Sequence, residues 1–134
     1  MANADGLRRA VETRAGFITR RLALDLNDEL HQAAAPHNAT GEMVRAIRVT
    51  SGRISPTTWR VDAEVPVIQA ATTDRGASPH IIRPRRAKAL RFVVDGRVVY
   101  ARIVHHPGNA PSRWFSDVMS PAGVRRILAR FVGR

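Results

Sequence analysis

The dipeptide Asp95-Gly96 lies between LRFVV and RVVYA, two runs rich in β-branched and aromatic side chains. An Asp-Gly pair in that setting is a strong hairpin signal, because both central residues of a type I′ turn need positive φ. A two-residue loop pairs Val94 with Arg97, Phe92 with Val99 and Leu90 with Ala101. One face of the hairpin then carries Leu90, Phe92, Val99, Ala101 and Ile103 and is expected to join the core. The other carries Arg91, Val93, Val98, Tyr100 and Arg102, cationic at the ends and apolar in the middle, a face to be covered by a helix of this chain or by another subunit. Proline-bounded arms flank the hairpin. His80–Arg86, with Pro79 before it and Pro84 inside it, should be extended. His106-Pro107-Gly108-Asn109 should close the second strand in a tight turn, with Pro111 beyond.

The rest of the chain supplies helices and one more strand pair. From Gly6 to about Ala34, Val11, Ala15, Ile18, Leu22, Leu26 and Leu30 recur at steps of three and four, which predicts a helix with one apolar stripe. Asp5 is the expected N-cap, and Pro36 with Asn38 marks the exit. Arg8, Arg9, Arg14, Arg20 and Arg21 crowd the first half, against the helix dipole. Such a face either is solvated or meets acidic partners or phosphates. Thr40–Ile47 predicts a short helical turn capped by Thr40, with extended chain from about Ala46 to Ile54. After Pro56, Thr57–Val65 alternates as a half-buried antiparallel strand, with Trp59, Val61, Ala63 and Val65 on the inner face. VIQAATTDRG predicts a short helix ending at Gly76 in a left-handed cap. The chain turns helical again from Ser112, with Ser120-Pro121 as N-cap and first residue of a final helix. Val124, Ile127, Leu128 and Phe131 form its apolar side. The fold class is therefore α+β: a mainly antiparallel sheet with a long N-terminal helix, a central β-hairpin and a C-terminal helix. One domain is expected over residues 1–134, with the helix in 1–37, the sheet, short helix and hairpin in 40–110, and the last helical segment in 112–134.

A chain of 134 residues has room for one modest core. With no cysteine, disulfides and thiolate metal sites are excluded. MANADGLRRAVETR lacks the apolar stretch of a secretory signal, and no run approaches the roughly 20 apolar residues of a membrane span. The expectation is a soluble domain made in the cytosol, with no membrane partner. Charge is the unusual quantity: 22 basic against 11 acidic residues give a net +11. Lys88 is the sole lysine among them. Arginine suits bidentate contacts to carboxylate or phosphate; a GC-rich genome, whose codons favour arginine, explains the same bias.

No motif carries catalysis, and no enzyme, cofactor or metal is expected. His105 and His106 point to opposite faces of a strand, and His31, His37 and His80 lack metal-ligand spacing. A composite site of His80, His106 and Asp74 is geometrically conceivable, though turn chemistry explains the imidazoles better. A nucleophile elbow and a phosphate-cradling glycine loop are both missing. Positive charge makes nucleic-acid binding the better-supported activity, through phosphates and without sequence preference. Arg83, Arg85, Arg86 and Lys88 on the proline-bounded arm are the candidates; pairing of the same arm with acidic residues of a neighbouring subunit is the alternative.

An ordered set of short motifs runs through Gly76 to Phe115. It comprises Gly76, His80-Ile81-Ile82-Arg83-Pro84, Lys88-Ala89-Leu90-Arg91-Phe92, Gly96, Val104-His105-His106-Pro107-Gly108 and the aromatic pair Trp114-Phe115, preceded by Thr40-Gly41-Glu42-Met43. This series resembles the tail-completion, or neck, proteins of bacteriophages with long non-contractile tails, also called minor tail proteins. The chain departs from the family pattern at Ala77 and Asn109, where threonine is usual, and at Ala71 and Asp74, where an aromatic and a glutamate are usual. The resemblance implies a virion structural component of the head–tail connector, assembled in the host cytoplasm into a ring of six copies. Such a ring joins a head-closure, stopper or adaptor protein to the tail terminator or tail tube and surrounds the DNA channel. It implies subunit-interface or channel positions at Arg83, Arg85, Arg86, Arg91, Val98, Tyr100 and Arg102. The alternatives are the tail-terminator layer of the same junction, a stand-alone DNA-binding protein, and a small hydrolase or nuclease.

Overall fold

A computed structural model describes residues 3–132. Helix α1 spans Ala4–Ala34, about 46 Å at ~1.5 Å per residue. Its N-cap is Asn3 and not Asp5: the Asn3 side chain accepts from the backbone N–H groups of Asp5 and Gly6 at 3.2 and 3.3 Å. Asp5 instead lies in the first turn, where its charge suits the helix dipole. A 3-10 turn at Ala35–His37 ends the helix. Helix α2, Glu42–Arg45, follows a left-handed Gly41, with Thr40 Oγ1 accepting from the Glu42 N–H.

Strands β1 (Arg48–Ser55) and β2 (Thr58–Glu64) form a hairpin about Pro56-Thr57, with register Val49↔Ala63 and Ser51↔Val61. The alternation expected for β2 is present: Trp59, Val61 and Ala63 are half-buried while Arg60, Asp62 and Glu64 are exposed. Arg53 fastens this hairpin to α1. Its guanidinium pairs with Glu12 at 3.0 Å, donates to the Ser55 and Pro56 carbonyls and lies 5.2 Å from the Trp59 ring centroid. The hydrogen bonds from Arg8 and then Arg53 hold the Glu12 carboxyl below its usual range, against some desolvation.

Helix α3 covers Ile68–Arg75, and α4 (Trp114–Met119) and α5 (Pro121–Val132) close the chain. Ser120 serves as N-cap of α5, its hydroxyl accepting from the Gly123 N–H at 3.0 Å. Glu29 of α1 receives Arg126 and Arg130 from successive turns of α5. The core consists of Leu26, Leu30, Ala34, Met43, Ile47, Ala70, Trp114, Val118 and Ile127. It therefore sits where the last third of α1 meets α2, α3, α4 and α5.

The α+β class is as the sequence implied, but the strands do not merge into one sheet. Among the described residues they form three two-stranded antiparallel ladders, β1–β2, β3–β6 and β4–β5. The stripe on α1 is likewise only partly used: Leu26 and Leu30 are buried, whereas Val11 and Ile18 are 56% and 37% exposed.

Candidate assembly surface

The segment from Gly76 to Asn109 is one long ribbon clasped at its base. Strands β3 (His80–Ile82) and β6 (Val104–His106) pair as His80↔His106, Ile81↔His105 and Ile82↔Val104. Below them Ala77 and Asn109 exchange two 2.9 Å backbone hydrogen bonds. At the far end β4 (Leu90–Val94) and β5 (Arg97–Ala101) meet in the expected register about Asp95 and Gly96, whose φ values of 50° and 77° are those of a type I′ turn. Between the two ladders, Arg83–Ala89 on one side oppose only Arg102 and Ile103 on the other. The second strand thus breaks after Ala101 and re-pairs with the arm; it does not run on to the His106 turn as expected.

Two glycines permit the clasp. Gly76 and Gly108 have φ of 81° and 77°. A Cβ on Gly76 would lie 2.8 Å from the Asn109 carbonyl oxygen, and one on Gly108 would lie 2.2 Å from that of Ala77. Each strand of the bridge therefore approaches the glycine of the other. Gly76 is not the left-handed cap expected, because its ψ of 170° places it in an extended positive-φ region that is essentially glycine's alone.

The clasp is anchored where α3 ends and α4 begins. Carbonyls at a helix C-terminus need outside donors. Here Thr72 accepts from the Asn109 amide at 3.1 Å, Thr73 from the Ser112 N–H and hydroxyl, and Asp74 from the Arg113 N–H. The Asp74 carboxylate, on a residue 6% exposed, caps α4 in return. It accepts from the N–H groups of Phe115 and Ser116, both at 2.9 Å, and from the Ser116 hydroxyl. Burial opposes ionisation of Asp74, but the Ser116 hydroxyl, the two N–H groups and the charge of Arg113 outweigh it and hold the carboxyl below its usual range. Trp114 packs in the core beside this cap, with Phe115 edge-on to it at 5.6 Å.

The histidines serve the same clasp. His80 Nδ1 donates to the Ser78 carbonyl at 2.8 Å, while His106 Nδ1 accepts from the Gly108 N–H at 3.0 Å, and the two rings stack at 4.8 Å. Asp74 is occupied with α4, and no cluster of metal-ligating side chains occurs among the described residues. Pro107 occupies the turn between His106 and Gly108.

Beyond the clasp the ribbon is exposed on both faces. Leu90, Phe92 and Ala101 are only half-buried, Val99 and Ile103 are 36% and 44% exposed, and none belongs to the core, contrary to expectation. The opposite face presents Val93, Val98 and Tyr100, with Tyr100 66% exposed beside its cross-strand partner Arg91. Alternation correctly sorted the side chains into faces, but neither face meets the body of the domain. The first half of α1 behaves similarly: Leu7, Val11 and Phe17 lie exposed, as does Leu24 beyond it. A cleft of about 600 Å³, lined by Phe17, Ile18 and Phe131 with Arg14, Arg21, Asp25 and Arg130, joins that half to the end of α5.

Charge is divided unevenly between these regions. On α1, the β1–β2 hairpin, α4 and α5, arginines pair with Glu12, Asp25, Glu29, Asp62, Glu64 and Asp117. From Arg75 to Asn109 there are eight cations and one acid, Asp95, a net +7 of the chain's +11. All eight cations are exposed, and none forms an ion pair among the described residues.

Compared with known proteins, the chain matches no family model, no curated sequence and no solved structure. The singled-out residues divide into three groups. Gly76, His80, His106, Pro107, Gly108, Trp114 and Phe115 meet at the clasp and its anchor. Arg83, Pro84, Arg85, Arg86 and Lys88 occupy the looped-out arm. Leu90, Phe92, Gly96, Arg91, Val98 and Tyr100 form the tip, with Arg102 just past the end of β5. No local motif signals Asp74 as a cap, or the long-range pairings of Glu12 with Arg53 and of Glu29 with Arg126 and Arg130.

Proposed function

We propose that this chain is a virion structural protein of the phage head–tail connector, a neck or tail-completion subunit that assembles as a ring around the DNA channel. One observation carries the proposal: the first half of α1 and the clasped ribbon both leave the small core with their apolar faces uncovered. Exposed apolar area of this kind is characteristic of interaction surfaces. The clasp adds rigidity, so the ribbon reaches a neighbour with little ordering left to be done on binding. Partners are further copies of the chain, a head-closure, stopper or adaptor protein on one side, and a tail-terminator or tail-tube protein on the other. The ordered motifs from Gly76 to Phe115 supply the family resemblance. No catalytic step enters this role, and no cofactor is required. The second reading, a stand-alone DNA-binding protein, draws on the unpaired cations of the ribbon.

The double substitution Val11→Glu with Phe17→Glu tests the assembly role. Both side chains are more than half exposed, so each change should alter stability by no more than about 0.5 kcal/mol. Sedimentation of the wild-type chain with its portal-side and tail-side partners should show a ring-sized complex. The double variant should remain a folded monomer under the same conditions. A wild-type chain that stays monomeric with both partners present overturns the proposal.

A further inference from the structure

We infer that the looped-out arm Arg83–Ala89 binds the sugar–phosphate backbone of duplex DNA without reading sequence. Four cations, Arg83, Arg85, Arg86 and Lys88, occur within six consecutive residues, and none of them has an acidic partner among the described residues. Arginines on the helical side of the molecule behave differently, since many of them are neutralised by nearby carboxylates. An uncompensated cluster is costly to a folded domain through self-repulsion, and an external polyanion relieves that repulsion.

The chemistry of the arm selects between a phosphate backbone and an acidic protein. Protein interfaces rest on aromatic or large apolar anchors that fill pockets. The arm offers only Pro84, Ala87 and Ala89 besides its cations. Contact through it is therefore almost wholly electrostatic, which is what a phosphate backbone takes. The larger apolar side chains, Val93, Val98 and Tyr100, lie on the hairpin tip and remain available to a protein neighbour. The position of the arm also fits. It loops out opposite just two residues, Arg102 and Ile103, so its cations belong to neither ladder. Arginine's planar fork adds bidentate contacts to phosphate oxygens. Binding itself rests on the charge distribution alone; that the arm turns toward the channel rests on the ring reading.

Anisotropy titrations of the full chain with a mixed-sequence 30-base-pair duplex, between about 50 and 200 mM salt, test the assignment. Each phosphate contact contributes about −0.9 to the slope of log K against log salt. The variant R83Q/R85Q/R86Q/K88Q should bind more weakly and lose about 3–4 of that slope, with unchanged melting temperature and no dependence on duplex sequence. The variant R9Q/R14Q/R20Q, which removes exposed charge from α1, should keep nearly the full slope. Equal losses for the two variants would show that net charge and not the arm does the binding. Poly-L-glutamate competing as well as DNA for the arm would assign it to an acidic protein; either result overturns the inference. Ring formation, read separately by sedimentation with the protein partners, can succeed or fail independently of these titrations.

Discussion

Replacing Gly108 with alanine should destabilise the chain by about 3–5 kcal/mol, whereas Gly96→Ala should cost about 1 kcal/mol. Both glycines have φ of 77°, so the conformational penalty is common to the two substitutions. They differ in what the new methyl group meets. At Gly108 it would stand 2.2 Å from the Ala77 carbonyl oxygen and 2.8 Å from the Ser78 carbonyl carbon; at Gly96 nothing lies within 4 Å. Relieving the first clash requires breaking the Ala77–Asn109 bridge that holds the ribbon to the body of the domain. For a domain of this size, the difference corresponds to a melting temperature lower by about 10 °C or more for Gly108→Ala. Thermal unfolding of the two variants side by side measures it. Gly76→Ala should resemble Gly108→Ala, because its methyl would press on the Asn109 carbonyl and the Pro111 nitrogen.

Asp74→Ala should cost about 2–4 kcal/mol, because it strips a buried cap from α4 and leaves the N–H groups of Phe115 and Ser116 without their acceptor. The same contacts make stability depend on acidity. The carboxyl is held below its ordinary value of 3.8 in the folded chain, so its stabilising contribution is complete above that value. It is lost as pH falls below 3.8 and through the lower folded value. The melting temperature of the wild type should therefore fall more steeply between about pH 4 and pH 2 than that of Asp74→Asn, which can still accept from the two N–H groups but has no charge to lose. Glu12, also held below its ordinary 4.5, acts in the same direction. Parallel pH profiles for wild type and Asp74→Asn would contradict this assignment.

Features governed by local chemistry were legible in the sequence. Asp95-Gly96 determines its turn and with it the register of ten residues, and Ser120-Pro121 determines the start of α5. Choices between nearby capping residues were harder. Asn3 and Asp5 are both good N-caps, and only the backbone geometry selects Asn3. Pairings between distant segments were not legible. The arms at 80–82 and 104–106 pair across a seven-against-two interruption that no periodicity encodes. Asp74 caps a helix some forty residues away, a role that its place near the end of α3 does not announce. Periodicity also assigns side chains to faces without saying what covers them. Hence the two faces of the hairpin were correctly drawn, but Val99 and Ile103 proved to be exposed rather than core, and the α1 stripe is buried only at Leu26 and Leu30, with Val11 exposed. For the candidate surface, the sequence showed the cations of the arm but not their isolation, which depends on where every carboxylate comes to lie.

In the proposed ring, the exposed half of α1 and the clasped ribbon meet neighbouring subunits. Electron cryomicroscopy of the intact head–tail junction, at a resolution that traces helices, tests this most directly. The expected density is a ring of this chain between the head-closure and tail-tube layers, with Val11 and Phe17 against an adjacent subunit and Arg83–Lys88 beside the DNA. A junction whose density is fully explained by other proteins, or one in which α1 and the ribbon both face solvent, would contradict it.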